Sequence, residues 1–167
     1  SQVLHWRQQG RPAFAIDPLA VASGQNVAAE ALAWALPRLE QGPVLIYATA
    51  EAAAVQAVQA RLGVAQAGAL VEHTLAQLAR GLVQAGVRQL VVAGGETSGA
   101  VVQALDVQRM AIGPQIDPGV PWTTVSSSLC PGEPLHLTLK SGNFGTLDFF
   151  SKALAQLQPT AAAEVAA

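Results

Sequence analysis

The sequence is poor in charged residues and cysteine, and each shortage excludes a class of protein. Lysine and arginine number 9 against 11 aspartates and glutamates, a formal net charge of −2. Without a basic run, the chain lacks the electrostatic footprint of a nucleic-acid-binding protein. Its apolar stretches are interrupted well before the roughly 18 residues of a membrane-spanning helix. The single cysteine, Cys130, excludes an internal disulfide framework and favours a cytoplasmic protein.

Small apolar residues are what the sequence has in abundance. Of 167 residues 51% are hydrophobic, 12% are charged and about a fifth are alanine. The length fits one domain with one core. The apolar excess has two interpretations: closely packed alanine-rich helices, or a surface that another domain covers, for which the helix face around Trp6 is a candidate. Residues 1–9 are predicted to be helical without an initiator Met, so we expect a fragment of a longer protein.

Helical and strand-like patterns alternate along the chain. This alternation predicts an α/β fold of three layers, with a mostly parallel sheet and helices on both faces, in a single domain over residues 1–158. Residues 113–122 are expected to form a connection, 126–134 an exposed loop and 159–167 a flexible tail. The predicted strands are 13–16, 43–48, 89–93, 110–112 and 135–139, and the predicted helices are 1–9, 27–36, 51–62, 67–85, 99–105 and 147–157.

The segment GGETSG at 94–99 follows a predicted strand and precedes a predicted helix. Parallel sheets bind ligands beyond the carboxyl ends of their strands, where the N–H groups of a helix N-terminus favour an anion. One interpretation is a phosphate-binding loop in which Gly94 and Gly95 allow close approach and Thr97 and Ser98 donate hydroxyl groups. The other is a tight turn with Thr97 or Ser98 as the helix cap. The loop lacks the closing G-K-[ST] of a Walker motif.

Metal binding is the open question for this loop. Glu96 can meet a Mg²⁺ ion carried by a bound phosphate, or it can stabilise the helix N-terminus through the dipole. The second interpretation is favoured. The chain's histidines, His5, His73 and His136, do not have metal-ligand spacing, so no protein-bound metal is expected.

A second glycine loop, KSGNFG at 140–145, also lies between a predicted strand and a predicted helix. Lys140 can bind a phosphate as a point charge, with Gly142 and Asn143 beside it. If the two preceding strands are neighbours, the two loops form a two-sided site for a polyphosphate. Taken alone, the segment is more typical of an ordinary turn with a solvated lysine.

Other candidate residues lie in turn-like segments. Asp117 and Trp122 belong to the segment IDPGVPW, and Asp17 precedes Pro18. The aspartates can be functional or part of turns, and Trp122 can stack on a base or fill the core; structural roles are favoured for all three. Cys130 has no CxxC partner and no G-x-S-x-G motif is present, so no nucleophile is expected.

The motifs GGETSGAVVQAL, IGPQIDPGVPW and LKSGNFG closely resemble the C-terminal nucleotide-binding domain of the four-carbon acid sugar kinase family, which includes 3-oxo-tetronate and threonate kinases. The resemblance implies that ATP, carrying Mg²⁺, is used to phosphorylate the terminal hydroxyl of a four-carbon acid sugar. It implies nucleotide contacts from Gly94, Gly95, Glu96, Thr97 and Gly142, with Ser98, Lys140 and Asn143 as neighbours.

The same resemblance implies what this chain does not supply. The acid sugar and the catalytic residues are expected in an N-terminal domain, so we expect the 167 residues alone to be catalytically inactive. The loop at 126–130 is longer than the family pattern, and an altered site entrance is expected from it. A homo-oligomer is compatible with the resemblance. The alternative is a stand-alone regulatory module that binds a nucleotide or anion without catalysis.

Overall fold

A computed structural model describes residues 1–48, 52–141, 144–157 and 162–166. Within these ranges the chain forms seven helices and seven strands, and the strands belong to one sheet. The helices are α1 Gln2–Gln8, α2 Pro18–Ala22, α3 Val27–Leu39, α4 Ala52–Leu62, α5 Val64–Gln84, α6 Gly95–Ala104 and α7 Phe149–Ala155. The strands are β1 Ala13–Ile16, β2 Val44–Ala48, β3 Gln89–Ala93, β4 Val107–Asp117, β5 Val120–Ser127, β6 Leu135–Lys140 and β7 Ala162–Ala166.

The sheet has the order β1-β2-β7-β3-β6-β5-β4 and is mostly parallel. Strands β1, β2, β7, β3 and β6 run parallel, and β5 and β4 add an antiparallel edge. The predicted α/β class and mostly parallel sheet are confirmed. Because parallel strands share a direction, the carboxyl ends of β1, β2, β3 and β6 lie at one edge of the sheet, where the loops that follow them meet.

Two cores cover the two faces of the sheet. Side chains alternate along β3, with Leu90 and Val92 in one core and Val91 and Ala93 in the other. The first core is aliphatic and packs against α3, α5 and α6, where alanines let the helices approach closely. The second core is aromatic and packs against α1, α7 and the β4–β5 hairpin. The predicted helices on both faces are confirmed, and close alanine packing accounts for part of the apolar composition.

The segment 107–127 is a β-hairpin, whereas the sequence predicted one short strand followed by a connection. Asp117 pairs with Val120 across a two-residue turn in which Gly119 has a φ of +80°. The prediction was wrong because β4 is an edge strand that is exposed along most of its length, so no alternating burial marks it. Its pairing also shifts between Ile112 and Gln115, around Pro114, which has no N–H to donate.

Two segments that were predicted to be irregular and exposed also differ from the prediction. Residues 162–166, expected to lie in a flexible tail, form β7 between β2 and β3. Alanine has little intrinsic preference for strands, so only pairing on both sides makes this segment a strand. In the predicted exposed loop 126–134, Ser127 and Cys130 are buried, and the Ser127 hydroxyl donates to the Leu105 carbonyl.

Trp6, expected on a helix face that meets another domain, is instead buried within this chain. Trp6 is 1% exposed, its ring meets that of Phe150 edge-on at 6.3 Å, and its Nε1 donates to the Pro12 carbonyl at 3.0 Å. The most exposed large apolar side chains of the described residues lie elsewhere, at Val64, Ile112, Phe144 and Leu147. Within the described ranges, no helix combines the length and apolarity needed to cross a membrane.

Candidate functional site

The two glycine loops leave neighbouring strands at matching positions. Ala93, the last residue of β3, pairs with Lys140, the last residue of β6, and the Gly94 amide donates to the Lys140 carbonyl at 2.8 Å. The predicted condition for a two-sided site, adjacent strands, is therefore met. Gly142 and Asn143, which were predicted to contribute, lie outside the described residues.

The first loop becomes helix earlier than the sequence predicted. Helix α6 begins at Gly95 with Gly94 as its N-cap, so no side chain of a described residue caps its first turn. Gly94 has a φ of +105°, a conformation that favours glycine. The Ser98 hydroxyl donates back to the Gly94 carbonyl at 2.7 Å, which removes the alternative of Ser98 as the cap. A Cβ on Gly95 would meet no described atom within 4 Å, so the space beside this residue in the first turn is open.

That open space is part of a cavity of about 580 Å³ at the carboxyl edge of the sheet. One end is formed by the first loop, from Gly94 to Thr97. The rest is mainly apolar and lies between helices α4 and α5, with Ala48 at the end of β2 and Pro18 at the start of α2. The apolar lining residues of the two helices are Val55, Val58, Val64, Ala65, Ala67 and Val71. The cavity therefore suits a ligand with a flat apolar part and an anionic tail.

A second carboxylate lies beside Glu96 in the lining of this cavity. Glu72 of α5 lines the same wall, and its pKa is raised by a hydrogen bond with Glu96, by partial burial and by the charge of Glu96. Glu96 itself lies in the first turn of α6, where the helix dipole favours a carboxylate. Sequence reasoning did not identify Glu72, because it lies on a helix 24 residues earlier and only the packing of α5 against α6 brings the two together.

Lys140 is not a solvated lysine. Its side chain is 1% exposed, with Nζ 5.8 Å from the centre of the Phe149 ring, and burial lowers its pKa. Thr138 and Lys140 alternate with Leu137 and Leu139 of the aliphatic core, so Lys140 projects to the α7 face. The described residues that line the cavity do not include it. A phosphate contact from Lys140 stays a prediction.

The end of the second loop is anchored by Asp117, which is 6% exposed. Asp117 Oδ2 accepts from the Thr146 amide at 3.0 Å, and Oδ1 accepts from Lys152 Nζ. The hydrogen bond from Lys152 and that from Thr146 hold the pKa of Asp117 below its ordinary value, and Asp117 in turn raises the pKa of Lys152. From α1, Gln2 Nε2 donates to the Phe144 and Thr146 carbonyls at 3.1 and 2.9 Å.

The structure gives structural roles to two other candidates. Trp122 is buried, and its Nε1 donates to the Ala153 carbonyl at 2.8 Å, so it fills the aromatic core rather than stacking on a ligand. Asp17 caps α2, accepting from the Leu19 amide at 2.9 Å. Among the described residues, no group of three or more His, Cys, Asp or Glu side chains is placed to hold a metal ion.

The loop at 126–130 does not lie at the entrance of the cavity, contrary to expectation. It precedes the start of β6, whereas the second glycine loop follows the end of the same strand. Cys130 packs into the aliphatic core with Leu135, near that distant edge. None of residues 126–130 is among the described residues that line the cavity.

Comparison with known proteins matches the family model "nucleotide-binding C-terminal domain" to residues 1–150. The chain is 62% identical over 157 residues to a 3-oxo-tetronate kinase of Pseudomonas fluorescens, covering 94% of this chain and 35% of that protein. It is 58% identical over 161 residues to a 3-oxo-tetronate kinase of Burkholderia multivorans, covering 96% of this chain and 36% of that protein. The chain thus spans about a third of the length of these relatives.

Solved structures show the same fold. A Haemophilus influenzae protein of the DUF1537 family superposes with a TM-score of 0.80 at 39% identity, over 94% of this chain and 37% of that one. A DUF1537 domain from Bordetella bronchiseptica, described as a domain-swapped dimer with bound citrate, superposes with a TM-score of 0.67 at 25% identity. It covers 91% of this chain and 36% of the solved one.

Proposed function

This chain belongs to the family of nucleotide-binding C-terminal domains, and we propose that it binds ATP and ADP in the cavity between the first glycine loop and helices α4 and α5. One observation carries the proposal: a single cavity joins the N-terminus of α6, which has glycine as its cap, to an apolar slot. Few ligands other than a nucleotide combine a polyanionic end with a flat ring that an apolar slot can bury.

Each end of the cavity has a distinct task. The backbone N–H groups around Gly95 and the dipole of α6 would hold the phosphates, and Thr97, which lines the cavity, adds a hydroxyl group. The apolar side chains of α4 and α5 would bury the base, with Val55 and Val71 among them. We expect the neighbouring second loop to close the phosphate end from the side of β6, and the pairing of Ala93 with Lys140 supports this.

Mg²⁺ would arrive with the nucleotide, and the donor set of this chain suits it. Glu72 and Glu96 are paired carboxylates beside the first loop, and carboxylate and phosphate oxygens are the ligands that Mg²⁺ prefers. When bound, the ion neutralises charge on the phosphates. A cation there would favour the ionised form of Glu72, whose pKa is raised in its absence.

For the whole protein we propose a kinase that transfers the terminal phosphoryl group of ATP to the terminal hydroxyl of 3-oxo-tetronate or a related four-carbon acid sugar. The names of the relatives support this, and the chain spans only about a third of their length. Phosphoryl transfer requires positioning of the donor and of the acceptor. This chain supplies the donor side, and the groups that orient the sugar hydroxyl lie outside it.

Calorimetry with ADP and Mg·ADP tests nucleotide binding by this chain. The informative variant is Gly95→Val, which places a side chain in the open space at the start of α6. Its matched control is Gly99→Val in the same helix, where the added Cβ also meets no described atom within 4 Å but the residue does not line the cavity. We expect Gly95→Val to weaken binding at least tenfold, about 1.4 kcal/mol, and Gly99→Val to change it less than twofold.

Two results would contradict the proposal: no heat from the unaltered chain at millimolar ADP, or equal affinities of the two valine variants. Separately, the 167-residue chain should show no turnover with ATP and 3-oxo-tetronate or threonate. The full-length protein should release ADP in proportion to the acid sugar phosphorylated. Nucleotide binding without turnover in the full-length protein would favour a regulatory module instead.

A further inference from the structure

Asp117 has no role in the proposed nucleotide contacts, yet it is the most elaborately bonded carboxylate of the described chain. It lies at the end of β4, on the hairpin, and the described residues lining the cavity do not include it. Three donor groups converge on it: the Thr146 amide at 3.0 Å, the Thr146 hydroxyl at 3.3 Å and the Lys152 ammonium. A carboxylate this deeply buried is costly unless it is paired, and here both oxygens are.

The residue that Asp117 packs against is the last glycine of the second loop. Gly145 has a φ of +86°, and a Cβ there would lie 2.6 Å from Phe149 Cδ2 and 3.2 Å from Asp117 Oδ2. The loop therefore returns to α7 through a gap that only glycine fits, with the carboxylate forming one wall. The backbone of residues 144–146 is fixed in this gap by Asp117 on one side and Gln2 on the other.

The start of the same loop is fixed to the phosphate end of the cavity. The Lys140 carbonyl accepts from the Gly94 amide at 2.8 Å, one residue before α6 begins. Both ends of the second loop are thus held, the start by the first loop and the end by Asp117. Fixing both ends in advance lowers the conformational entropy that ligand binding costs, and this raises affinity without any new contact.

We propose that Asp117 is a positioning residue for nucleotide binding, which through Thr146 and Lys152 holds the returning arm of the second glycine loop in place beside the first loop. The inference rests on the proposed function. The charged groups that face Asp117 are Lys152 of α7 and Asp148 of the turn before it, and Gln2 of α1 approaches the same arm as a neutral amide.

The first test is the affinity of the full chain for Mg·ADP at neutral pH. Asp117→Asn removes the charge that holds Lys152 and keeps the side-chain size, so we expect about tenfold weaker binding. The matched control is Asp106→Asn, since Asp106 is an exposed turn residue with a φ of +48°, a conformation that asparagine also accepts. The control should bind within twofold of the unaltered chain.

The second test separates positioning from mere packing through rescue by a conservative variant. Lys152→Met removes the ammonium group that donates to Asp117 Oδ1, whereas Lys152→Arg keeps a cation that can donate there. If the ion pair positions the arm, the cation of arginine restores the affinity that methionine loses. We expect Lys152→Met to bind Mg·ADP at least fivefold more weakly than the unaltered chain at neutral pH, and Lys152→Arg to bind within twofold of it.

The outcomes are distinguishable. If the unaltered chain binds Mg·ADP and Asp117→Asn binds equally well, or if Lys152→Arg binds as weakly as Lys152→Met, the positioning role is wrong and the proposed function stands. If the unaltered chain binds no ADP, the proposed function itself is wrong, and the positioning role fails with it. Thermal unfolding of each variant verifies that the folded chain is being titrated.

Discussion

The glycine loop after β3 and the glycine loop after β6 start from paired residues on neighbouring strands, but different contacts hold them. The first loop is held locally: it becomes helix at Gly95, and Ser98 bonds back to Gly94 within one turn. The second loop is held by distant parts of the chain, since Asp117 comes from the hairpin and Gln2 from α1. Two loops can therefore follow paired residues of neighbouring strands and have similar compositions, and still be held by different kinds of contact: local ones in the first loop and long-range ones in the second.

The largest effect is expected at the glycine that ends the second loop. Gly145→Ala adds a Cβ that would lie 2.6 Å from Phe149 and imposes a positive φ on a residue that resists it. We expect the free energy of unfolding to fall by about 3 kcal/mol. In the first loop's helix, Gly99→Ala should instead raise it by about 0.5–1 kcal/mol, because alanine favours helix. Denaturant titration measures the free energy of unfolding of both variants. Equal changes in the two would contradict the difference between the loops.

The next effect concerns the anchor of the second loop in acid. Because its folded-state pKa is lowered, Asp117 contributes stability that is present above the ordinary carboxyl range and lost as the pH falls through the lowered value. Asp117→Asn should cost about 2 kcal/mol at pH 7. Below about pH 4 the unaltered chain should lose stability more steeply than the variant. If the free energy of unfolding of the unaltered chain and that of Asp117→Asn change in parallel from pH 7 to pH 2, the ionised Asp117 does not stabilise the second loop.

A smaller effect is expected for the lysine at the start of the second loop, where the charged form of the side chain is disfavoured by folding. Burial lowers the pKa of Lys140 from its ordinary value of 10.5, so the unfolded chain binds more protons than the folded chain in the alkaline range. Stability should therefore rise as the pH increases toward 10.5, and Lys140→Met should abolish that rise. Urea titrations from pH 7 to pH 10.5 test this, and an identical slope in both proteins would contradict the burial of a charged ammonium.

The smallest effect is expected in the first loop, where the order is local. Ser98→Ala removes one hydrogen bond, from the serine hydroxyl to the Gly94 carbonyl, and should cost about 1 kcal/mol. ADP affinity should change less than threefold, because the backbone groups at Gly95 remain. Ser126→Ala, at an exposed serine, is the matched control. A loss of binding as large as that of Gly95→Val would mean that the hydroxyl itself contacts the ligand.

Local sequence patterns were sufficient to predict most strands and helices. They failed for strands whose structure depends on pairing with distant parts of the chain. The runs that became β1, β2, β3 and β6 are short, apolar and bounded by turn residues, so their burial is visible locally. The long edge strand β4 is exposed on most of its length and therefore has no such pattern. The alanine-rich β7 is a strand only because β2 and β3 pair with it on both sides.

For the site, the sequence alone determined the two glycine loops and their place between strand and helix, and it predicted phosphate contacts from Gly94, Gly95 and Thr97. The position of the loops is a local property, because glycine conformations and helix N-termini depend on adjacent residues. Only the tertiary structure decided that the loops are neighbours, that Glu72 lies beside Glu96, that Lys140 is buried and that Asp117 anchors residues 144–146. Each of these depends on a contact between residues far apart in the chain, and the order of strands and the packing of helices, which no local pattern encodes, set those contacts.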